Sequence, residues 1–96
     1  MASSFEVTKA SLTSKKEALN NDNEKFKQQI AQLESYANSL KSMWEGEAAS
    51  KFQSNFKNDR AKMDKLYAAV KKYVQHVETV LKKYETAEKK NLNILK

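Results

Sequence analysis

Residues 43–47 are Met-Trp-Glu-Gly-Glu, and they contain the only glycine in a chain of 96 residues that has no proline. Glycine adopts the left-handed conformation that ends a helix at little energetic cost, so Gly46 is the natural helix breaker. Glu47 then falls in the first turn of a following helix, where the helix dipole favours an anion. The sequence therefore predicts a short turn at 44–46 that folds two helices back on each other as an antiparallel hairpin.

Apolar residues before the turn recur with the period of a helix. One row repeats every seven residues and consists of Phe5, Leu12, Leu19, Phe26, Leu33 and Leu40. A second row, four residues on, contains Ile30, Ala37 and Trp44, but its earlier places hold Lys9, Lys16 and Asn23. This spacing predicts an amphipathic helix over about residues 8–43, with first turns that pack more loosely than its middle.

Apolar residues after the turn form a wider stripe. Those expected in the core or at a subunit interface are Phe56, Met63, Tyr67, Val70, Val74, Val77 and Leu81. A neighbouring row adds Phe52, Leu66, Tyr73, Val80 and Ala87. The stripe predicts a second helix over about 47–88, and its thinning beyond that point predicts a mobile tail over 89–96.

The stripe is broader than one partner helix covers. Folding at Gly46 pairs residues whose numbers add to about 89, such as Leu33 with Phe56, and places apolar side chains opposite each other. Three residues at the edge of the stripe would stay exposed to water in a hairpin of two helices and need another subunit to bury them: Tyr67, Val74 and Leu81. We therefore expect an all-α fold in which residues 1–96 form one helix-turn-helix hairpin domain that dimerises into a four-helix bundle.

Two polar residues invite a chemical role, and each has a structural explanation. His76 projects away from the apolar stripe, so we expect it to lie in solvent. Asp59 projects into the stripe, where we expect it to pair with Lys27 or with a second subunit and to set the register. The chain has no cysteine, no HExxH motif and no glycine-rich phosphate loop. The sequence therefore predicts a protein that is not an enzyme and has no metal or cofactor.

Charge is unevenly distributed along the chain. The net charge is +6, and the whole excess lies in the second half. A lysine ridge opposite the apolar stripe consists of Lys71, Lys72, Lys82, Lys83, Lys89 and Lys90. A bundle needs a polar outer face, but the same ridge suits a basic helical nucleic-acid-binding protein as an alternative. The chain has a single arginine, Arg60, which weakens that alternative, so no nucleic acid is among the expected partners.

No segment has the character of a membrane span or of a secretory signal peptide. The longest apolar run covers residues 66–70, whereas about 20 residues are needed to cross a bilayer. The N-terminus lacks the apolar stretch of about 7 to 15 residues that follows a basic start in signal peptides. If the protein is exported, a route without a cleavable leader is expected.

The turn and the end of the second helix carry a family resemblance. Trp44-Glu45-Gly46, between two long amphipathic helices, and the later Tyr84-Glu85-Thr86-Ala87-Glu88 resemble the WXG family of small proteins exported by type VII (ESX-type) secretion. The resemblance implies a secreted, virulence-associated helical hairpin that leaves the cell without a cleavable signal. It implies as partners a second copy or another WXG-family protein, and the type VII secretion ATPase.

The resemblance also assigns an export signal. In that family an apolar residue, an acid and two further apolar residues near the C-terminus act together with the Trp-x-Gly turn of the partner subunit. Here Tyr84, Glu88 and Leu95 occupy the first, second and last places, and Asn91 stands in the third. The implied function is that of an effector, a structural component or an escort working through protein contacts. A cytosolic helical adaptor remains the other alternative.

Overall fold

The protein is a pair of long helices joined by a short turn. The computed structural model describes residues 4–95, and the surroundings of side chains over 6–91. Helix α1 spans Ser4–Met43 and helix α2 spans Glu47–Leu95. No strand occurs within the described range. The predicted all-α hairpin is confirmed.

The turn depends on the backbone of one glycine. Gly46 has a φ of +107°, and no other described residue has a positive φ. Its carbonyl accepts a hydrogen bond of 3.0 Å from the backbone N–H of Ser50, which closes the first turn of α2. Lys41 lies in the last turn of α1 and Glu47 in the first turn of α2, each with the charge that its helix dipole favours. The turn is therefore stabilised in two ways. Gly46 adopts a positive φ that other residues disfavour, and Lys41 and Glu47 on either side interact favourably with the helix dipoles.

The helices are longer than the apolar pattern predicts. Helix α1 begins at Ser4, and α2 continues to Leu95, so the expected tail is helical over 89–95. Residue 96 of that tail lies outside the described residues. The stretch contains no glycine or proline, and its lysines and leucine are good helix formers. Loss of the apolar stripe removes packing partners, but it does not end a helix whose local propensity persists.

The contacts divide the chain into two compact units, and each contains a segment of both helices. The first unit joins the chain up to residue 21 with the chain from residue 70 onward, and the second consists of residues 22–69. In the first, Lys16 on α1 lies against Glu78 on α2. In the second, Asn23 lies against Tyr67. The helices are thus antiparallel in each unit, and the numbers of these pairs add to 94 and 90, close to the predicted register.

The row of α1 that faces α2 is the one interrupted by polar residues. In the second unit Asn23, Ile30 and Ala37 of that row are buried, together with Ala49 of α2. Three members of the regular leucine row lie at the rim instead, because Leu19, Leu33 and Leu40 are 40%, 45% and 41% exposed, whereas Leu12 and Phe26 are half-buried. The expectation that the whole row meets α2 directly is therefore corrected. The two rows are only about 40–50° apart around the helix, so a modest rotation decides between them.

One further expectation about the stripe on α2 is wrong. Val74 and Leu81 are 4% and 8% exposed within the single chain, so the first unit already covers them without a second subunit. In the neighbouring row, Leu66 and Tyr73 are exposed. The other predicted stripe residues are half-buried, namely Phe56, Met63, Tyr67, Val70 and Val77. The exposed apolar surface of α2 in this stripe thus lies at Leu66 and Tyr73 and not at the predicted flank.

Candidate functional site

The Trp-x-Gly turn is built on a short aromatic ladder. The ring centroid of Trp44 lies 5.7 Å from that of Phe52, and the rings are tilted by 49°. Phe52 in turn stacks on Phe56 with centroids 6.3 Å apart. Trp44 nevertheless keeps 41% of its surface exposed, and Glu45 beside it is exposed. The indole therefore packs against α2 with part of its surface and presents the rest outward.

The predicted C-terminal signal residues lie on α2 in the first unit. Tyr84 and Glu88 are both half-buried and are one helical turn apart, so they share a face. Leu95 is the last residue of α2, and its side chain lies outside the described residues. The aromatic residue and the acid of the predicted signal therefore share one face of α2.

Lys9 is a contact of this motif that sequence reasoning missed. Its Nζ lies 3.7 Å from Glu88 Oε2 and 3.6 Å from Glu85 Oε1. The sequence interpretation treats Lys9 only as an interruption of an apolar row. The sequence does contain a pattern that predicts such contacts. Lys9 and Lys16 are seven residues apart on α1, and Glu78 and Glu85 are seven residues apart on α2, so the two pairs face each other when the helices are antiparallel.

A second ion pair repeats the pattern one heptad further along α1. Lys16 Nζ lies 3.9 Å from Glu78 Oε1. The acids of α2 in this unit are therefore turned toward α1. The lysine ridge is different, because its six side chains are exposed and none of them forms an ion pair among the described residues. The positive excess of α2 thus faces outward, as the sequence predicts.

A polar cluster connects the helices in the second unit. The side-chain amide of Asn23 donates a hydrogen bond of 3.1 Å to the backbone carbonyl of Tyr67. The Tyr67 hydroxyl donates one of 2.8 Å to Glu24 Oε1, and Lys27 Nζ lies 5.4 Å from the centre of the tyrosine ring. The hydrogen bond to Glu24, together with desolvation, raises the pKa of Tyr67 above its ordinary value. The neutral phenol is therefore the form that the folded chain favours.

The charged residue that projects into the stripe of α2 is Arg60, whereas the sequence predicts Asp59. Arg60 Nη1 is buried and lies 3.4 Å from Glu34 Oε2 without a hydrogen bond, and its Nε lies 3.4 Å from Asp64 Oδ1. Asp59 is exposed, and the predicted pairing with Lys27 does not form. The reason is the phase of α2, because Arg60 lies seven residues before Tyr67 and shares its face, whereas Asp59 is rotated about 100° away.

Three features of the described residues bear on possible chemistry. His76 is exposed, which confirms its predicted position in solvent. No cluster of three or more histidine, cysteine, aspartate or glutamate residues in the described range could hold a metal ion. Neither described helix contains a segment with the length and hydropathy of a membrane span.

Comparison with known proteins was informative at the level of the family. No curated protein and no solved structure matches the chain. The family model for WXG100, described as proteins of 100 residues with WXG, matches residues 4–89. That range includes the turn at 44–46, all of α1, most of α2, and Tyr84 and Glu88. Members of this family are small and non-enzymatic and are associated with type VII secretion. The chain therefore belongs to the WXG100 family.

Proposed function

We propose that this protein is a substrate of a type VII (ESX-type) secretion system that is exported without a cleavable leader and acts outside the cell through protein contacts. The observation that carries the proposal is that Tyr84 and Glu88 share one face of α2, in a chain whose turn is Trp44-Glu45-Gly46. Membership of the WXG100 family supports it. The secretion ATPase is the proposed receptor, and the exported chain serves as an effector, a structural component or an escort.

The proposed exported form is a dimer, either of two copies or with another WXG-family protein. The apolar rim of the second unit supports this assignment. On antiparallel helices, a step of three residues from an inward-facing position leads to the same side of the pair on both helices. In the second unit this step leads from Ile30 to Leu33 and from Arg60 to Met63. An exposed leucine and a half-buried methionine therefore lie on one side, suited to cover by another hairpin.

A dimer of antiparallel hairpins also completes the proposed signal. In a four-helix bundle with antiparallel subunits, the turn of one subunit lies near the helix ends of the other. Trp44 of one subunit and the Tyr84–Glu88 pair of its partner then form one recognition surface. The partial exposure of Trp44 and of the Glu88 side chain suits this role, because both have surface left for a second protein.

Secretion from the native host tests the proposal. Glu88→Ala should remove the protein from the medium, while the helix content and the thermal unfolding of the purified variant stay close to wild type. Glu78→Ala is the matched control, because it removes an α2 glutamate that is also paired with an α1 lysine. Trp44→Ala should lower both stability and secretion, since it removes the contact with Phe52. Normal secretion of a folded Glu88→Ala variant would show that this residue is not an export signal.

The lysine ridge supports a second candidate function. Six exposed lysines without ion pairs on one helix suit the binding of a nucleic-acid backbone. Binding of this kind weakens steeply between about 50 and 200 mM salt, whereas contacts made by an apolar rim do not. A titration with duplex DNA at both salt concentrations separates the two functions. Recovery of the protein only from the cytosol would favour the adaptor alternative.

A further inference from the structure

We propose that Lys9 covers the Glu88 carboxylate and so holds the export signal partly closed until a cationic group of the recognising protein takes its place. This inference rests on the proposed export function of Glu88 and concerns its regulation. It starts from a contact within the first unit, where the Lys9 ammonium from α1 reaches across to α2.

The cover is positioned to be exchanged. The side chains of Lys9 and Glu88 are 31% and 32% exposed, so solvent and a binding partner can reach both. The Nζ–Oε2 distance of 3.7 Å exceeds the roughly 2.7–2.9 Å of a well-formed charge-assisted hydrogen bond. The contact is therefore an ion pair without a tight bond, and an incoming arginine or lysine can displace it. A receptor that binds both carboxylate oxygens of Glu88 has to displace Lys9, because the ammonium occupies the side of Oε2.

Glu85 weakens the hold of Lys9 on Glu88. It lies on the same face of α2 one turn earlier, and its Oε1 is 3.6 Å from the same Lys9 Nζ. One ammonium thus serves two carboxylates at nearly equal distances, and any shift toward Glu85 uncovers Glu88. This sharing gives the two neighbours opposite effects. Loss of Lys9 leaves the Glu88 carboxylate uncovered. Loss of Glu85 removes the competing carboxylate, so Lys9 then pairs with Glu88 alone.

The expected effect is modest in size. Ion pairs between partly exposed side chains are weak, so the cover reduces the available fraction of Glu88 about two- to fivefold. A protein that binds only the uncovered carboxylate sees its apparent affinity reduced by the same factor. Such a factor tunes export and does not prevent it.

Carboxyl labelling measures the cover without any secretion. Purified protein is treated with a water-soluble carbodiimide and glycine ethyl ester, and the rate at each glutamate is followed by mass spectrometry. Lys9→Met should raise the rate at Glu88 about two- to fivefold and leave the rate at Glu78 unchanged. Lys16→Met is the matched control, since it removes the same charge one heptad away and should affect Glu78 alone. An unchanged rate at Glu88 in Lys9→Met would overturn the cover.

Secretion tests the regulatory step. Lys9→Met should increase the secreted fraction, Glu85→Ala should decrease it, and Lys9→Arg should resemble wild type. Equal or reduced secretion of a folded Lys9→Met variant would overturn the regulation; reduced secretion would mean that Lys9 helps to present Glu88. If Glu88→Ala is secreted normally, the export function itself fails. The labelling result then still reports whether Lys9 covers Glu88, so the two failures are distinct.

Discussion

Asn23 on α1 is hydrogen-bonded through its side-chain amide to the backbone carbonyl of Tyr67 on α2, at 3.1 Å. Asn23 is 4% exposed and is the one buried polar residue in the described core. Tyr67 lies in the middle of a helix, so its carbonyl also accepts the regular bond from the N–H four residues on. The asparagine therefore marks one register of the two helices without being needed to satisfy that carbonyl.

Replacement of Asn23 should separate register from stability. Asn23→Ala should lower the free energy of unfolding by about 1–2 kcal/mol, because a hydrogen bond and packed atoms are lost. Asn23→Leu should recover that loss, since an apolar side chain suits the site, but backbone amides near Tyr67 should exchange faster with deuterium if the register becomes less defined. Urea unfolding and hydrogen exchange measure the two effects. Equal stability of Asn23→Ala and wild type would contradict this account.

The stability of the second unit should decline at alkaline pH through Tyr67. Its pKa is raised in the folded chain, chiefly by the hydrogen bond to Glu24, so folding favours the protonated phenol. This contribution is complete below the unfolded value of about 10 and is lost as pH rises through the higher folded value. Tyr67→Phe should therefore lose less stability than wild type as the pH rises above about 10. Glu24→Gln should reduce the slope similarly, and identical slopes in all three proteins would refute the assignment.

Substitution at Gly46 should act through the backbone alone. A Cβ built on Gly46 meets no atom within 4 Å, so an added methyl group has space. The φ of +107° is nevertheless unfavourable for an L-residue, and Gly46→Ala should destabilise the protein by about 1–3 kcal/mol. D-alanine at the same position in a synthetic chain is the matched control, since it favours positive φ. Equal thermal stability of the L- and D-alanine proteins would contradict a backbone cause.

The apolar rim should control association. Light scattering of the wild type should give about twice the chain mass of 11.0 kDa. Leu33→Gln should shift the protein toward the monomer with little loss of helix, because Leu33 is exposed in the single chain. Val7→Gln is the control, since Val7 is also exposed but lies away from the rim. A wild-type monomer at micromolar concentration would exclude a homodimer, and co-expression with another WXG-family protein would then test the heterodimer.

The sequence by itself determined the two helices and the turn, because both depend on short-range effects. A seven-residue recurrence of apolar side chains specifies a helix wherever it falls, and Gly46 is the only position at which φ readily becomes positive. The position of His76 in solvent also followed, since it lies far from the apolar stripe. The end of α2 did not follow, because helix propensity continues through residues 89–95 after the stripe has ended.

Only the tertiary structure decided which row of each helix faces the other. Neighbouring rows differ by about 40–50° of rotation, so residue spacing alone does not predict which of them is buried between the helices. The choice depends on contacts between residues far apart in the chain. Asn23 meets Tyr67, and Lys9 reaches Glu88, only when the polar-interrupted row of α1 turns inward. That rotation leaves Leu33 at the rim and places a lysine beside the acid of the proposed export signal.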